Sequence, residues 1–569
     1  MAINREELGK NLQINAAVGN SRRSSTLVEG KKPNGKSWIN HIMSLPTRIS
    51  VALLLFAGVF LTQHNSQATE AMRIFSVKDF GAIGDGKVLD TQAIQAAIDA
   101  AQQAGGGRVI LPAGIFLSGS VELKSHVELR VEAGATLLGS ASRANYRQNH
   151  QWYALLLADG QEEVEISGSG TIDGQGRELA QDVIRRIKAG EIADPMENHR
   201  PGEGQRPLLV AFRKCRQVRV SGVMLRDSAC WVEDYDQCEG LVIENLRVNS
   251  VAYWNNDGMD ITDCTKVRIT GCDVNSADDG ICLKSQDPAG GCADVEISNC
   301  RIRSSASALK FGTASWGGFR NIRAHDLTVY DTFRSAVALE CVDGGGLQNV
   351  LIENVKATNT GNAIFLRLGH RNLNAPVGRL SDVTIRNVRV AVPSGAPDAG
   401  YETAGPTVRA PHNLFPCSIT GLPGHPVSNV VLDNISVLYA GGGVPERAQV
   451  PVNALGQVPE QAERYPEFSM FGELPAWGFY VRHAQGITFT NCHFTLQQPD
   501  FRPAMLFDDV QGLRLSGVDL GPMSGEPVIV LNEVTKAVIQ GVQYPKTCQD
   551  QLRRLGKSSS SKPSPPDSP

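Results

Sequence analysis

Short segments of alternating apolar and polar residues recur along most of the chain, usually ending at Asn, Gly or Asp. Alternation with a period of two places every second side chain on one face of a β-strand. The segments are VEISG at 164, VRVSG at 218, LVIEN at 241, VRITG at 267, VEISN at 295, IRAHD at 322, VLIEN at 350, VTIRN at 383, VVLDN at 430, ITFTN at 487 and LRLSG at 513. Neighbouring segments usually start 23 to 28 residues apart, and the larger gaps coincide with Gly/Pro-rich insertions around 184–206, 391–425 and 440–478.

Each repeat is too short to bury its own apolar face, so the repeats need to stack on one another. Coils that rise by one strand spacing, about 4.8 Å, pair their strands in parallel and align like residues inside and outside. The pattern therefore predicts an all-β chain, a right-handed parallel β-helix over 72–547.

The recurring Asn at the strand ends fits a turn residue that tolerates left-handed φ and bonds locally. In a stack of coils, these amides are predicted to form a ladder of Asn245, Asn299, Asn354, Asn387, Asn434 and Asn491. Asn434 also begins an Asn-Ile-Ser sequon, for which the ladder role is preferred to glycosylation.

A helical pattern precedes the coils. Ala93, Ile94, Ala97 and Ile98 share one helical face, with Thr91 as the expected N-cap and Gly105 as the stop. This short helix is predicted to cap the N-terminal end of the β-helix, where an open edge would invite aggregation.

Two terminal segments are predicted to lie outside the coils. Residues 1–71 form a leader, in which the apolar run 49–62 follows Arg48 and precedes SQATEA, a pattern typical of a signal peptide cleaved near Ala68 or Ala71. The run is short for a membrane span, and an uncleaved signal anchor stays the alternative. Residues 548–569 are expected to be a disordered Ser/Pro-rich tail.

The 48 residues ahead of the apolar run are long for the start of a signal peptide, which makes Met43 a candidate for the true start. With either start, the protein is expected to be exported, as a secreted or periplasmic protein. Membrane contact is expected only through an uncleaved leader.

Net charge and cysteine content limit the classes of partner and of metal site that we expect. A formal charge of −4 over 569 residues gives no polycationic surface, so nucleic acid is not expected as a partner. The twelve cysteines lack the spacing of zinc sites, and both disulfides and stacking in the interior of the coils stay open. No organic cofactor and no obligatory metal is implied, and a monomer is expected.

Three aspartates stand at the start of neighbouring coils. YWNNDGMDITDC at 253–264 holds Asp257, and NSADDGICLKS at 275–285 holds Asp278 and Asp279. The 21 residues from Asp257 to Asp278 are close to one coil, so the carboxylates are predicted to lie together on the outer face. Like charges this close raise at least one pKa, which keeps one carboxyl protonated as a general acid beside an ionised base. Aspartates that only hold turns, or a calcium site, are the alternatives.

These segments resemble glycoside hydrolase family 28, the polygalacturonase family, whose pattern runs Asn-x-Asp, Asp-Asp about one coil later, Gly-His-Gly and Arg-x-Lys. The resemblance covers roughly 74–545, with NND at 255–257 and DD at 278–279 as its specific part. It implies that Asp278 is the general acid, that Asp257 and Asp279 position and deprotonate water, and that Asn255 contacts substrate. It also implies hydrolysis with inversion, for which a carboxyl separation of about 6.5–9.5 Å is expected.

The chain departs from the family at two motifs. Ala306-Ser307-Ala308 replaces Gly-His-Gly, and Ala338-Leu339-Glu340 replaces Arg-x-Lys, so Glu340 in the substrate site would repel a galacturonate carboxylate. The candidates for binding that carboxylate instead are Lys310, Arg367, His370 and Arg371. Solvated surface charges are the alternative for these four, and core packing is the alternative for Trp254 and Trp316, which could stack on sugars.

The pattern as a whole favours a glycoside hydrolase acting on pectic polysaccharide, with rhamnogalacturonan or another galacturonate-containing glycan as substrate. A polysaccharide lyase on the same scaffold and a non-catalytic carbohydrate-binding β-helix remain the alternatives.

Overall fold

The computed structural model describes residues 72–194, 200–397, 401 and 412–558. They form a right-handed parallel β-helix, as predicted, in which each complete coil contributes strands to three parallel sheets. The predicted leader, with Met43, Ala68 and Ala71, and residues 559–569 of the predicted tail lie outside the described residues.

The first sheet contains the repeats found in the sequence. In its N-terminal half, each strand pairs in parallel with the strand one coil later. These strands are Ile74–Ser76, Gly107–Leu111, Val127–Val131, Glu165–Gly168, Arg216–Ser221, Glu239–Glu244, Thr265–Thr270 and Cys292–Ser298. The register stacks like on like, with Val218 beside Leu241, Leu241 beside Val267 and Val267 beside Val295.

The second and third sheets follow in each coil. The second sheet begins with Asp85–Leu89, Gly114–Ser118, Ala135–Gly139, Thr171–Asp173, Met224–Arg226, Arg247–Ser250, Asp273–Ser276 and Arg301–Ser304. The third sheet begins with Val121–Glu122, Trp152–Asp159, Leu208–Arg213, Glu233–Asp236, Met259–Thr262, Ile281–Ser285 and Leu309–Ser315. Gln148–Asn149 forms a short antiparallel pair with the start of Trp152–Asp159.

Later coils have long strands that continue around corners from one sheet into the next. The long strands are Phe319–Cys341, Gly346–Leu368, Arg379–Val392, Val427–Gly441, Phe479–Thr490, Met505–Ser516 and Ile529–Thr535, and shorter ones are Cys417–Thr420, His493–Gln498, Val538–Gln540 and Leu552–Leu555. Leu552–Leu555 pairs with Ile529–Thr535, so the coils continue past the predicted boundary at 547.

The α-helices are Thr91–Gln103 and Gly176–Lys188, and the 3₁₀ helices are Val77–Phe80, Arg143–Asn145, Glu203–Gln205, Pro445–Arg447 and Leu455–Gln457. Thr91–Gln103 buries Ile94, Ala97, Ile98 and Ala101 against the first coils. The predicted N-cap is wrong by one residue. Asp90 is the N-cap, and the Thr91 hydroxyl instead accepts a hydrogen bond from the Gly119 amide at 2.8 Å.

Part of the predicted asparagine ladder, formed by Asn354, Asn387 and Asn434, lies on the outside of the coils. All six predicted asparagines have φ between 51° and 56°. The Asn434 amide donates to Asn387 at 2.9 Å, and Asn387 donates to Asn354 at 3.1 Å. Side-chain amides thus bridge turns one coil apart, which agrees with the ladder role for Asn434.

The cysteines stack in the interior of the coils and are not joined by disulfides. All twelve cysteines lie within the described residues, and all twelve are buried with free thiols. The Cys264 thiol donates to the Tyr235 carbonyl at 3.0 Å and accepts a hydrogen bond from the Cys238 amide at 3.3 Å. Among the described residues, no helix combines the length and the apolarity that a membrane span needs.

Candidate active site

The three aspartates lie in the turns that lead into neighbouring strands of the third sheet. Asp257 precedes Met259–Thr262, and Asp278 and Asp279 precede Ile281–Ser285. Gly258 makes this close stacking possible, because a Cβ on Gly258 would lie 2.5 Å from the carbonyl oxygen of Gly280. The Gly258 amide instead donates to the Asp279 carbonyl at 2.8 Å, which locks the two turns together.

The Asp cluster, defined as Asp257, Asp278 and Asp279, brings three carboxylates together. One oxygen from each lies within 4.8 Å of the others. This spacing is tighter than the predicted separation of about 6.5–9.5 Å, because the side chains come from turns only one strand spacing apart. The nearest carboxylate oxygens thus lie within several ångströms of one another, as the one-coil spacing from Asp257 to Asp278 predicts.

A buried lysine holds Asp257. Lys284 Nζ donates to Asp257 Oδ2 at 2.9 Å, forms a second ion pair with Asp260, and lies 4.1 Å from the centre of the Trp231 ring. Burial, together with neighbouring carboxylates, raises the pKa of Asp257 despite this lysine. Burial likewise raises the pKa of Asp260 to about 7.

Asp278 is the most exposed member of the Asp cluster, since Asp257 and Asp279 are buried. Its Oδ1 accepts a hydrogen bond from the Asp279 amide at 2.9 Å. Burial of the carboxyl and the adjacent Asp279 charge raise its pKa, and Arg334 and Lys310 oppose that rise. Asp278 thus tends to keep its proton while its side chain stays partly exposed.

Asp279 has the opposite tendency. Lys310 Nζ donates to its Oδ2 at 2.8 Å, and the Ser307 amide donates to its Oδ1 at 3.0 Å. Burial alone would raise the pKa of Asp279, but the positive charges of Lys310, Arg334 and Lys284 outweigh burial and lower it. Ser307, which stands where the family has histidine, therefore lies beside the Asp cluster and contributes its backbone amide.

Glu340 faces Lys310 inside the protein. Its carboxylate is 2% exposed, accepts a hydrogen bond from the Thr313 hydroxyl at 3.1 Å and lies 3.8 Å from Lys310 Nζ. Burial raises the pKa of Glu340 to about 7. Lys310 and Glu340 thus balance each other's charge. The alternative that Lys310 is a solvated surface charge is wrong, because it is also 2% exposed.

The remaining predicted binding residues are tied to other partners. The Asn255 side-chain oxygen accepts hydrogen bonds from Arg206 at 2.7 Å and Arg200 at 3.2 Å. Arg367 is buried and donates to the carbonyls of Gly421 and Glu460. This burial also excludes the surface-charge alternative for Arg367.

His370 and Arg371 lie along a loop after the strand Gly346–Leu368. His370 Nε2 bonds to the Ala375 carbonyl at 2.8 Å, and Arg371 forms a two-point ion pair with Asp343 at 2.9 and 2.6 Å. Within the part of the chain that the structure describes, the hydrogen-bond partners of Arg367, His370 and Arg371 lie outside the Asp cluster. Their positions therefore favour roles in holding the surrounding loops.

Two tryptophans flank the coils of the Asp cluster. Trp254 is half-buried beneath the Arg200 guanidinium, 5.1 Å from its ring centre, and packs against the helix Gly176–Lys188. Trp316 is 42% exposed. Trp254 lies three residues before Asp257 and remains available as a wall of the site.

Four charged or aromatic residues of the site were missed by sequence reasoning: Lys284, Asp260, Arg334 and Tyr465. A signal existed for Lys284 and Asp260, because both occupy alternate positions of otherwise apolar strands, ICLKS and MDIT. Tyr465 carries no such signal, since it reaches Lys310, 155 residues earlier in the chain, only through the folded insertion.

Comparisons with known proteins agree with this geometry. The sequence profile of glycosyl hydrolases family 28 matches residues 102–396, more than half of the chain. A probable polygalacturonase of Vitis vinifera is 24% identical over 65% of this chain and 71% of its own length. An exo-poly-α-D-galacturonosidase of Dickeya chrysanthemi is 24% identical over 64% of this chain and 72% of its own length.

Solved structures share the fold. A family 28 exopolygalacturonase of Yersinia enterocolitica superimposes with a TM-score of 0.59 at 21% identity, covering 78% of each chain. A hyperthermoactive exopolygalacturonase of Thermotoga maritima gives a TM-score of 0.52 at 24% identity, covering 64% of this chain and 87% of that chain. With the profile match, these findings show that the chain belongs to glycosyl hydrolases family 28 and is a glycoside hydrolase.

Proposed function

We propose that this enzyme hydrolyses glycosidic bonds in a galacturonate-containing pectic polysaccharide, using the Asp cluster as its catalytic centre. One observation carries the proposal. Three carboxylates lie within 4.8 Å of one another, and the pKa of Asp278 is raised while that of Asp279 is lowered. Paired carboxyls with diverging pKa values are the arrangement that acid–base hydrolysis of a glycoside requires.

Asp278 is the general acid in this proposal. Its proton passes to the glycosidic oxygen as the bond between that oxygen and the anomeric carbon breaks, so the leaving sugar departs as a neutral alcohol. Asp278 is more exposed than Asp257 and Asp279, so its carboxyl can reach a bound substrate.

Asp257 and Asp279 hold and deprotonate the attacking water. A water that hydrogen-bonds to two carboxylate oxygens at about 2.8 Å each spans oxygens slightly less than 5 Å apart, which matches the spacing of the cluster. Oxygen from this water joins the anomeric carbon, and its proton goes to Asp279. Attack from the side opposite the leaving oxygen inverts the anomeric centre, as the family resemblance implies.

The surroundings of the cluster favour attack at a chain end. The insertion after the strand Val427–Gly441 packs Leu455, Phe468 and Phe471 onto Phe365 and Tyr480 of the third sheet. On the N-terminal side, residues of the same sheet and of the turn before Glu233–Asp236 form a second apolar cluster, which consists of Trp152, Ala154, Leu157, Leu208, Ala211, Cys230 and Trp231. A groove closed at an end by such packing would suit a terminal sugar better than the middle of a polymer.

We also place this enzyme outside the cytoplasm, acting as a monomer. The signal-peptide pattern before residue 72 supports export, and a polymeric pectic substrate lies outside cells.

The experiment is a reducing-sugar assay on polygalacturonan and rhamnogalacturonan side by side. Release from at least one polymer is expected, with a loss of about 10²–10⁴-fold in Asp278→Asn. Asp273→Asn is the matched control, because Asp273 is only half-buried and pairs with Arg301 on the second sheet. Equal activity in Asp278→Asn and the wild type would refute the assigned acid.

The mode of attack is read from the same reactions. Attack at chain ends releases reducing sugar while the viscosity of the polymer stays nearly constant. An early collapse of viscosity at low sugar release would show internal cleavage and refute the chain-end proposal.

A further inference from the structure

Arg334 is a buried cation beside the Asp cluster, with a side-chain donor that is unused within the described residues. The residue is 5% exposed, and its Nε is buried without a hydrogen-bond partner within the described part of the chain. Its nearest ion-pair contact, Glu467 Oε2, lies 3.7 Å away, which is beyond hydrogen-bond distance. Leaving a buried guanidinium without bonds is costly, so such a group is retained where a ligand supplies the missing acceptors.

The other two buried cations near the cluster are already occupied. Lys284 bonds to Asp257 and Asp260, and Lys310 bonds to Asp279 with Glu340 close behind. Arg334 thus stands apart from these two in having donors to spare. The charge of Arg334 lowers the pKa values of both Asp278 and Asp279, which agrees with a position on the same side of the β-helix as the reacting carboxyls.

Arg334 lies in the same corner of the β-helix as Asp278, two coils further along. Ser307 donates its amide to Asp279, and the Arg334 amide donates to the carbonyl of Ala306 at 2.8 Å. Asp279, the Ala306–Ser307 turn and Arg334 therefore occupy the same corner on three successive coils. Ala338, at the position of the family's arginine, lies four residues further along and has no charge.

Tyr465, from the insertion around 440–478, lies beside this guanidinium. The Tyr465 ring centre lies 6.0 Å from the Arg334 Cζ, and the Tyr465 hydroxyl accepts a hydrogen bond from Lys310 at 2.9 Å. Tyr465 is nevertheless 49% exposed. One face of the ring is therefore open to solvent beside a cation, which suits a sugar carrying a carboxylate.

We infer that Arg334 binds the carboxylate of the galacturonate unit that sits against the Asp cluster, with Tyr465 as the wall of that subsite. The inference rests on the proposed function and deepens it. A guanidinium offers two parallel N–H donors that match the two oxygens of a carboxylate. Its charge also offsets the repulsion between an anionic sugar and the ionised Asp279. Arg334 would thus supply the recognition that Ala338 and Glu340 cannot provide.

The test compares kcat/KM for a galacturonate oligomer and for its methyl ester, which keeps the rings and linkages but removes the charge. The wild type is expected to prefer the acid at least about 100-fold, the size of a strong charge-assisted contact of about 3 kcal/mol. Arg334→Gln is expected to reduce that preference below about tenfold, mainly through KM. Arg334→Lys keeps the charge but loses the two-point contact. Its preference for the acid is therefore expected to lie between those of the wild type and Arg334→Gln.

The control is Arg323→Gln, an arginine of the same strand Phe319–Cys341 that pairs with Glu353 on the first sheet. Its acid-to-ester preference should equal that of the wild type. If Arg334→Gln and Arg334→Lys lose activity on acid and ester in equal proportion, Arg334 serves folding or electrostatics only, and the inference is wrong.

Failure of the proposed function gives a different result. If the wild type cleaves neither substrate, calorimetry with D-galacturonate and its methyl ester on the full chain decides the inference separately. Binding of the acid that disappears in Arg334→Gln and persists in Arg323→Gln supports the Arg334 subsite. Equal binding by both variants overturns it.

Discussion

At the scale of single residues, the site is a balance of buried charges contributed by different coils. Carboxylates at Asp257, Asp260 and Asp279 face ammonium groups at Lys284 and Lys310. Removing one member of such a buried set leaves an unpaired charge, which costs about 3–5 kcal/mol. The lysines therefore hold the carboxylates in place, and the raised pKa of Asp278 favours its protonated form.

The pH dependence of kcat/KM should report this balance. Activity requires Asp278 protonated and Asp279 ionised, so the rate falls at high pH as Asp278 loses its proton and at low pH as Asp279 gains one. Arg334 lowers both pKa values. Arg334→Gln should therefore move both limbs of the profile to higher pH.

Arg323→Gln provides the control for this profile, because its charge lies on another sheet and pairs with Glu353. A profile of Arg334→Gln that coincides with the wild type in both limbs would contradict the placement of Arg334 beside the two carboxyls.

The sequence was sufficient to predict the Asp cluster but not its partners. Asp257 and Asp278 are 21 residues apart, and a repeat of nearly that length brings them together in any β-helix of this register. The contact of Lys310 with Asp279 depends on which face of its strand points outward. The position of Arg334 depends on the path of the chain at a corner two coils beyond Asp278. The predicted binding roles of Arg367 and Arg371 relied on charge alone, and charge does not reveal that Gly421, Glu460 and Asp343 already occupy them.

At the scale of one element, the strand Glu233–Asp236 carries a carboxyl inside the core. Glu233 is fully buried, its Oε1 has no hydrogen-bond partner within the described residues, and its Oε2 accepts from the Tyr235 hydroxyl at 2.6 Å. Burial raises the pKa of Glu233 to about 8. The strand therefore holds a protonated carboxyl among otherwise apolar neighbours.

Glu233→Gln should stabilise the protein increasingly as the pH rises. Because the folded-state pKa lies above the ordinary value of 4.5, the stability from this proton is complete below pH 4.5 and is lost as the pH rises through 8. The gap in unfolding free energy between variant and wild type should widen by up to about 1.4 kcal/mol per pH unit in that window. Thermal denaturation at pH 5 and pH 8 measures this gap, and an equal shift in Tm at both values would contradict the buried carboxyl.

The strands of the first sheet were predictable because each repeat has the same length and the same alternation. The predicted segments from 164 to 517 stack in register, with Val350 beside Val383 and Val430 beside Ile487. The insertions were predictable only as gaps. Their apolar residues follow no period, and the contact of Tyr465 with Lys310 arises from the folded path of the loop.

At the scale of the whole molecule, the interior is one continuous stack in which cysteines act as small apolar residues. Burial raises the pKa of thiols such as Cys264 and Cys292, which disfavours the reactive thiolate. The native protein should therefore react with almost no thiol reagent, and the protein unfolded without reductant should titrate twelve thiols. A count lower by two for each bond would show disulfides and contradict the free stack.

In the proposed function, the Asp cluster adds water across a glycosidic bond of a galacturonate chain. Mass spectrometry of the products from a galacturonate oligomer, with wild type and Asp278→Asn in parallel, detects this addition. The wild type is expected to form two saturated fragments whose summed mass exceeds the substrate by one water, and the variant is expected to form almost none. An unsaturated fragment, with summed masses equal to the substrate, would show a lyase and contradict hydrolysis, as would intact substrate bound by both proteins.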